Sequence, residues 1–461
     1  MSIVRTLSQI INMIPGSELK GEDLTINGVS TDSRVDLNGK LFIPLIGEKF
    51  DAHQFLPQAI ENGASAVLCS RKFSNVPTNA SVILVDDTLE ALQKLSKSYL
   101  SEWNGKIVGI TGSNGKTSTK DILTSILSAK YKVHKTQGNF NNHIGLPLTV
   151  LAMAEDTEVA VLEMGMSNYG EIEFLSNLAE PDAAIITNIG ESHMQELGSR
   201  AGIAKAKLEI ASGLSKNGLL VINGDEPLLI EGTKDKNLIY TIETFGLSES
   251  NDVYPTFIEM NESGSEFEIN KAKDFRFKLA VLGKHNISNT LAAIAVARKF
   301  SLTWDEISSG MQNLEMTKMR MELLKNENNG ITVINDAYNA SVTSMKAALL
   351  FASELKGYNR KFVVFGDMLE LGDQEIAFHE EIGEEVVNLH FDFLYTFGPL
   401  SKFAATSAFE QMDSSRVKSF EDKNKLIEDL LQQVRPNDLV LVKASRGMKL
   451  EEVVNALVNQ G

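Results

Sequence analysis

Apolar residues along this chain fall into two alternating rhythms. Short unbroken runs at 107–110, 159–162, 183–189, 219–222, 331–334, 362–365, 393–396 and 439–442 predict buried strands. Between them, apolar positions recur at helical spacing, as at Ile122, Leu123, Ile126 and Leu127 within 118–130. Earlier, 41–45, 66–68 and 82–85 predict strands, 55–62 and 88–100 predict helices, and 1–14 reads as an amphipathic helix. Residues 231–280 alternate in short β-like runs, consistent with a small antiparallel addition, and 290–300 form an alanine-rich helix. Strands alternating with helices predict an α/β chain whose parallel sheets carry their sites at the C-terminal ends of strands.

At 461 residues the chain is too long for one ordinary core, so several domains are expected, with a break near Trp103-Asn104-Gly105. A composition 43% hydrophobic and 23% charged is that of a globular protein, and no run approaches membrane-spanning length. The single cysteine, Cys69, cannot form an intrachain disulfide and fits core packing in a reducing cytoplasm. A net charge of −17 argues against nucleic acid as the main partner, although an anionic substrate needs only local positive groups.

Chemistry concentrates at Thr111-Gly112-Ser113-Asn114-Gly115-Lys116-Thr117, with Ser118 next, between a strand and a helix. Such a turn aims backbone N–H groups and a helix N-terminus at one point, suited to a polyphosphate, with Lys116 as a mobile charge and the Thr117 hydroxyl as a magnesium ligand. Ile110 stands where the usual pattern has glycine. Glu163 ends a strand where nucleotide-bound magnesium would be held. His193 sits on a loop, where a lone histidine is ordinarily just solvated. Lys207 shares the apolar face of its helix with Ile203, Ile210 and Leu214, while Lys205 faces the other way. That places Lys207 either as a snorkelling side chain or as an enclosed amine of lowered pKa. The segment 136–147, with Asn139 and Asn142, suggests a hydrogen-bonding loop, and helix capping is the plain explanation for Asn286 and Asn289. Asp336 and Tyr338, and the loop with Lys443 and Arg446, occupy strand ends. Spacing alone assigns no chemistry to the polar clusters 30–34 and 47–53. No dinucleotide fingerprint appears in the last third, which disfavours a nicotinamide cofactor.

Together these motifs closely resemble the Mur ligases, ATP-dependent enzymes that extend the peptidoglycan stem peptide. That family's loop shares the Thr111-Gly112 start, and its shared acid, histidine, two asparagines, arginine and aspartate match Glu163, His193, Asn286, Asn289, Arg320 and Asp336 in order. The runs Met319-Arg320-Met321-Glu322 and Gly366-Asp367-Met368-Leu369-Glu370-Leu371-Gly372 are most similar to the branch that adds D-alanyl-D-alanine. Ser341-Val342 departs from the asparagine–proline of many relatives, and Ala444 from a commoner glycine.

The resemblance implies three domains: a small α/β domain (1–102) holding the UDP end of the substrate, a central P-loop parallel sheet (103–316), and a Rossmann-like domain (317–461) that takes the dipeptide and closes over ATP. It implies ATP binding through 111–118, Asn286, Asn289, Arg320 and Asp336, and substrate contacts from Ser30, Ser33, Arg34, Gly47, Asn139, Asn142, Tyr338, Asn339, Lys443 and Arg446. Lys116, Glu163, His193 and Lys207 would be catalytic. One magnesium would sit on Thr117 and Glu163 and a second near His193, with Lys207 carbamylated by carbon dioxide. The expected substrates are a UDP-N-acetylmuramoyl-tripeptide and D-alanyl-D-alanine, handled by a cytoplasmic monomer that is open without ligand. A folylpolyglutamate synthase shares the loop and the lysine but would lack the 366–372 run. A switch or transport ATPase would not need a third wound domain, and a catalytically dead relative would have lost Lys116, Glu163 or Asp336.

Overall fold

The computed structural model describes residues 2–47, 50–234, 238–261, 264–326 and 328–459. Three sheets organise the chain. The first, in spatial order Glu18–Lys20, Ser81–Val85, Ala66–Ser70, Leu41–Phe42 and Val29–Ser30, is parallel except for its first pair. Cys69 is fully buried in its core. The N-terminus is not one helix. Val4–Thr6 pairs antiparallel with Thr25–Asn27, and the helix runs only over Leu7–Met13, started by a capping box of Thr6 and Gln9. That box satisfies the free N–H groups of the first turn and fixes the start there.

The central sheet is wholly parallel, in the order Thr241–Phe245, Leu219–Asn223, Ala183–Ile186, Lys106–Thr111, Val159–Glu163 and Val133–Lys135. Its Lys106–Thr111 strand lies mid-sheet and is apolar because helices cover both faces. The helices Lys116–Ser128 and Lys284–Lys299 pack on one face. The expected antiparallel addition is the sheet of Pro255–Asn261, Gly264–Ile269 and Ala272–Leu279. Thr241–Phe245, also read as part of that addition, instead extends the parallel sheet. Glu48 and Lys49 of the 47–53 cluster, and 235–237 and 262–263 of the β-like stretch, lie outside the described residues.

The last sheet runs Glu322–Lys325, Thr332–Asp336, Leu439–Lys443, Lys361–Gly366, Phe393–Phe397 and Val417–Phe420. Only its edge strand Glu322–Lys325 is antiparallel. Thr332–Asp336 and Leu439–Lys443 are neighbours, so Asp336 and Lys443 meet at the same sheet end. Among the described residues no helix is long and apolar enough to cross a membrane.

Candidate active site

The strand Lys106–Thr111 ends in the phosphate loop, and the helix Lys116–Ser128 begins at Lys116. Gly112 (φ 149°) and Gly115 (φ 80°) carry the backbone through it. A Cβ on Gly112 would lie 1.8 Å from Thr187 Oγ1, and one on Gly115 2.7 Å from Asn289 Oδ1, so both positions exclude a side chain. The neighbouring strand end braces the loop. Ser113 N–H donates to Asn188 O, Asn114 N–H to Asn188 Oδ1 at 2.9 Å, and Thr187 Oγ1 to Asn114 O. Lys116 folds back to donate to Gly112 O at 2.7 Å. Burial, helped by the charge of Arg320 and opposed by Glu163, pushes its pKa down to about 8.

Glu163 is buried at the end of its strand, with Lys120 Nζ 3.3 Å from Oε1, yet Oε1 accepts no hydrogen bond. Asn286 and Asn289 are not caps: the helix starts at Lys284, and Gly283 at its N-cap makes no side-chain bond. Asn286 donates to Leu282 O at 2.8 Å, and Asn289 donates to Asn286 Oδ1 at 3.1 Å. Both line a cavity of about 260 Å³ shared with the phosphate loop and Glu163.

The last domain closes this cavity. Arg320 donates to Thr117 Oγ1 at 3.1 Å and stacks on Tyr338, 4.3 Å from the ring centre. Asp336 takes a 2.5 Å bond from Lys443 and one of 3.1 Å from the Met321 N–H. Lys443 also donates to Asn339 O at 2.9 Å. Ser341, on the segment that departs from asparagine–proline, caps the helix Val342–Glu354 and donates to Asn114 Oδ1 at 3.0 Å.

Of the sequence candidates, Ser113–Ser118, Glu163, Asn286, Asn289, Arg320, Asp336, Tyr338, Asn339 and Lys443 line this one cavity. Thr111 and Gly112 precede that stretch on the loop and do not line the cavity. Lys207 and His193 do not line it. Lys207 is buried (2% exposed) with no hydrogen bond or ion pair to another described residue. Burial, with the positive charge of Lys116 added, holds its amine well below the ordinary lysine range. His193 pairs across to Glu370 at 3.1 Å. Asn139 lies outside the cavity, and so does Asn142, whose Oδ1 accepts from the Ile144 and Gly145 N–H groups in the turn that leads into the helix Gly145–Leu151. The asparagine of that loop in the cavity is Asn141, which nothing in the spacing of Asn139, Asn141 and Asn142 singles out.

Asn188 and His285 were also missed. Asn188 falls within a run that reads as strand, and His285 stands beside the Asn286–Asn289 pair, where burial holds its pKa below the usual value. Ser30, Ser33, Arg34 and Gly47 lie on the first domain, away from this cavity. There Arg34 pairs with Asp32, and Ser33 donates to Gln58 at 2.9 Å. Arg446 reaches Glu451 at 3.0 Å and approaches the outer face of Tyr338, 5.8 Å from the ring centre.

A glycine-formed phosphate cradle closed by a second wound domain defines an ATP-binding enzyme of the phosphate-loop class. Family models match in three stretches: the Mur ligase family catalytic domain over 25–100, the Mur ligase middle domain over 110–297, and the Mur ligase glutamate ligase domain over 319–446. The chain belongs to the Mur ligase family. It is 49% identical to the UDP-N-acetylmuramoyl-tripeptide–D-alanyl-D-alanine ligase of Bacillus subtilis over 99% of both chains, and 35% identical to that of Escherichia coli over 99% of both. Crystal structure II of MurF from Acinetobacter baumannii superposes over all of both chains with a TM-score of 0.89 at 29% identity. The MurF ligase from Thermotoga maritima in complex with ADP superposes over 93% of this chain and 96% of its own with a TM-score of 0.81 at 30% identity. A Mycobacterium tuberculosis folylpolyglutamate synthase, at 16% identity and a TM-score of 0.60, shares the fold alone.

Proposed function

We propose that this enzyme joins D-alanyl-D-alanine to a UDP-N-acetylmuramoyl-tripeptide at the expense of ATP, giving the pentapeptide precursor of peptidoglycan. The observation that carries the reading is the full-length match to ligases of that activity, with a cavity holding the loop, Glu163, Arg320 and Asp336 together. A carboxylate oxygen of the tripeptide attacks the γ-phosphorus of ATP, the bond to the β–γ bridging oxygen breaks, and ADP leaves. The dipeptide amine then attacks the acyl carbon. The tetrahedral intermediate collapses with loss of the amine proton, and inorganic phosphate departs. Activation is needed because a free carboxylate is a poor electrophile.

In this reading the 112–117 backbone and Lys116 hold the phosphates, and Arg320 adds positive charge from the closing domain. Asn286, Asn289 and Asp336 line the rest of the nucleotide site. Lys443 and Tyr338 stand at the dipeptide side, with Asn339 and Arg446. The first domain takes the UDP end through Ser30, Ser33, Arg34 and Gly47. Keeping water from the acyl phosphate requires the domains to close, so the ligand-free enzyme samples an open form.

Glu163 fits a divalent cation, since its buried Oε1 has no hydrogen bond to satisfy it. With the Thr117 hydroxyl it would hold magnesium, which supplies neutralisation of phosphate oxygens. Lys207 fits a carbamate, because an enclosed amine without a counter-ion favours its neutral, nucleophilic form. Addition of the amine to carbon dioxide with loss of one proton would make Lys207 an anionic oxygen ligand for a second magnesium beside His193. A ¹³C-bicarbonate carbamate resonance absent from Lys207→Ala checks this independently of activity. We place the enzyme in the cytoplasm as a monomer.

The decisive assay measures phosphate release with ATP and magnesium, supplying the UDP-tripeptide and D-alanyl-D-alanine separately and together. Release only with both, with a pentapeptide product by mass, is expected. Release with a single amino acid replacing the dipeptide would move the protein to another branch of the family.

A further inference from the structure

The 366–372 run set the chain apart in sequence, yet none of its residues lines the nucleotide cavity. Its geometry gives it a task. Nearly every residue of the run is pinned to the last domain. Asp367 is buried and its Oδ1 accepts from the Leu400 and Ser401 N–H groups at 3.1 and 2.7 Å. Met368 N–H donates to His379 Nε2 at 3.0 Å, which leaves Nδ1 of that buried ring to donate to Glu375 O at 2.6 Å. Leu369 N–H donates to Ser445 Oγ at 3.0 Å, and Ser445 N–H returns a bond to Asp367 O at 3.1 Å. Leu371 is buried again, and Gly372 packs beside Gln195 of the central domain.

Glu370 is the exception. Its backbone is left-handed (φ 65°), and its carboxylate, 59% exposed, leaves its own domain to lie at ion-pair distance from His193 Nδ1, 3.1 Å away. His193 is left-handed too, also at φ 65°. Residues with a Cβ occupy that region at a cost and persist where the surroundings over-determine them. Here two such residues face each other across a domain boundary. A carboxylate on one imidazole nitrogen fixes the tautomer and turns the other nitrogen outward.

We propose that Glu370 is a positioning residue for His193. When the last domain closes, its carboxylate accepts the Nδ1–H of His193 and directs Nε2 toward the reacting acyl and phosphoryl oxygens. The 366–372 run is thus the rigid arm that delivers this carboxylate, so His193 is oriented only in the closed enzyme. This inference rests on the ligase reading and adds a role for a residue outside the nucleotide cavity.

The test uses the full-length enzyme with Glu370→Ala, Glu370→Gln, His193→Ala and the double variant His193→Ala/Glu370→Ala. Glu370→Ala is expected to lower kcat by about 10- to 100-fold, with ADP affinity and thermal midpoint held within about twofold and a degree or so of wild type. Glu370→Gln keeps an acceptor oxygen and recovers kcat to within a few-fold of wild type, on the order of the cost of one neutral hydrogen bond. The double variant is no slower than His193→Ala, because the two act as one unit. Long-range ¹H–¹⁵N spectra of the nucleotide complex read the ring directly and do not depend on turnover. Wild type should show a single tautomer protonated at Nδ1, and Glu370→Ala a mixture. Equal kcat for Glu370→Ala and wild type, a Glu370→Gln as slow as Glu370→Ala, multiplicative losses in the double variant, or an unchanged tautomer would each overturn the proposal. A wild-type enzyme that shows the tautomer but releases no phosphate would strike the ligase reading instead.

Discussion

The two large sheets of this enzyme are both six-stranded and wound with helices, yet the phosphate-loop strand of one and the Asp336 strand of the other present charge at their ends in different ways. The phosphate-loop strand of the central sheet runs into glycines, and its binding groups are backbone N–H donors at the start of Lys116–Ser128, although the next strand ends in Glu163, buried beside Lys120. The last sheet ends in a buried ion pair, Asp336 with Lys443, on adjacent strands. Backbone donors cost nothing to keep when no ligand is present. A buried ion pair holds only while both partners remain, because each has left water. The phosphate loop is therefore tolerant in stability but strict in shape, and the Asp336–Lys443 site is the reverse.

The sharpest way to break this contrast is Asp336→Ala. It strands the buried Lys443 ammonium, and about 3–5 kcal/mol of folding free energy should be lost from the last domain in denaturant titrations. A loss below about 1 kcal/mol, the scale of a surface pair, would mean water already reaches the pair. Next in size, Lys116→Ala should cut phosphate release about 10²–10³-fold, near 3–4 kcal/mol of transition-state stabilisation, while leaving the urea midpoint unmoved. Unfolding of this variant would place the central site with the ion-pair class.

The pH dependence sharpens the comparison further. Lys116, pushed down to about 8 by burial, is fully charged only below that pH in the free enzyme. A bound polyphosphate favours the charged form, so ADP binding takes up a proton above pH 8. Affinity should then fall as pH rises through about 8, by up to about tenfold per unit, until the pKa of the complex is reached. Calorimetry in buffers of different ionisation enthalpy reads that proton. Flat affinity from pH 7 to 9 would remove Lys116 from the phosphates. The smallest effect concerns the seam between the domains: Ser341→Ala removes both the cap of Val342–Glu354 and the bond to Asn114, and should cost about 1 kcal/mol. Scattering should also show a more compact particle when ATP and the UDP-tripeptide are added together.

Local chemistry made much of this molecule legible from its residues. The phosphate loop shows because its glycines, lysine and flanking periodicities lie within about twenty consecutive positions, and Lys207 shows because a helix repeats every 3.6 residues. Its burial follows from that face, and Lys205, about 200° round, is exposed. Where a competing local signal won, the reading shifted. The Thr6 capping box cut the N-terminal helix short, and a helix start two residues before Asn286 turned supposed caps into cavity-lining amides. Asn142, by contrast, turns its side chain to the Ile144 and Gly145 N–H groups, and its neighbour Asn141 lines the cavity.

What the tertiary structure alone decided are the long-range pairings: Arg320 with Thr117, Lys443 with Asp336, Ser341 with Asn114, and Glu370 with His193. Periodicity states which face of an element is buried, but not which distant element covers it. That choice is made by strand order and domain packing, summed over contacts no local window contains. The sequence by itself therefore determined the elements, the phosphate cradle and the family. Only the folded chain decided which charges meet, because a pair separated by a hundred or more residues leaves no mark in the spacing of either partner.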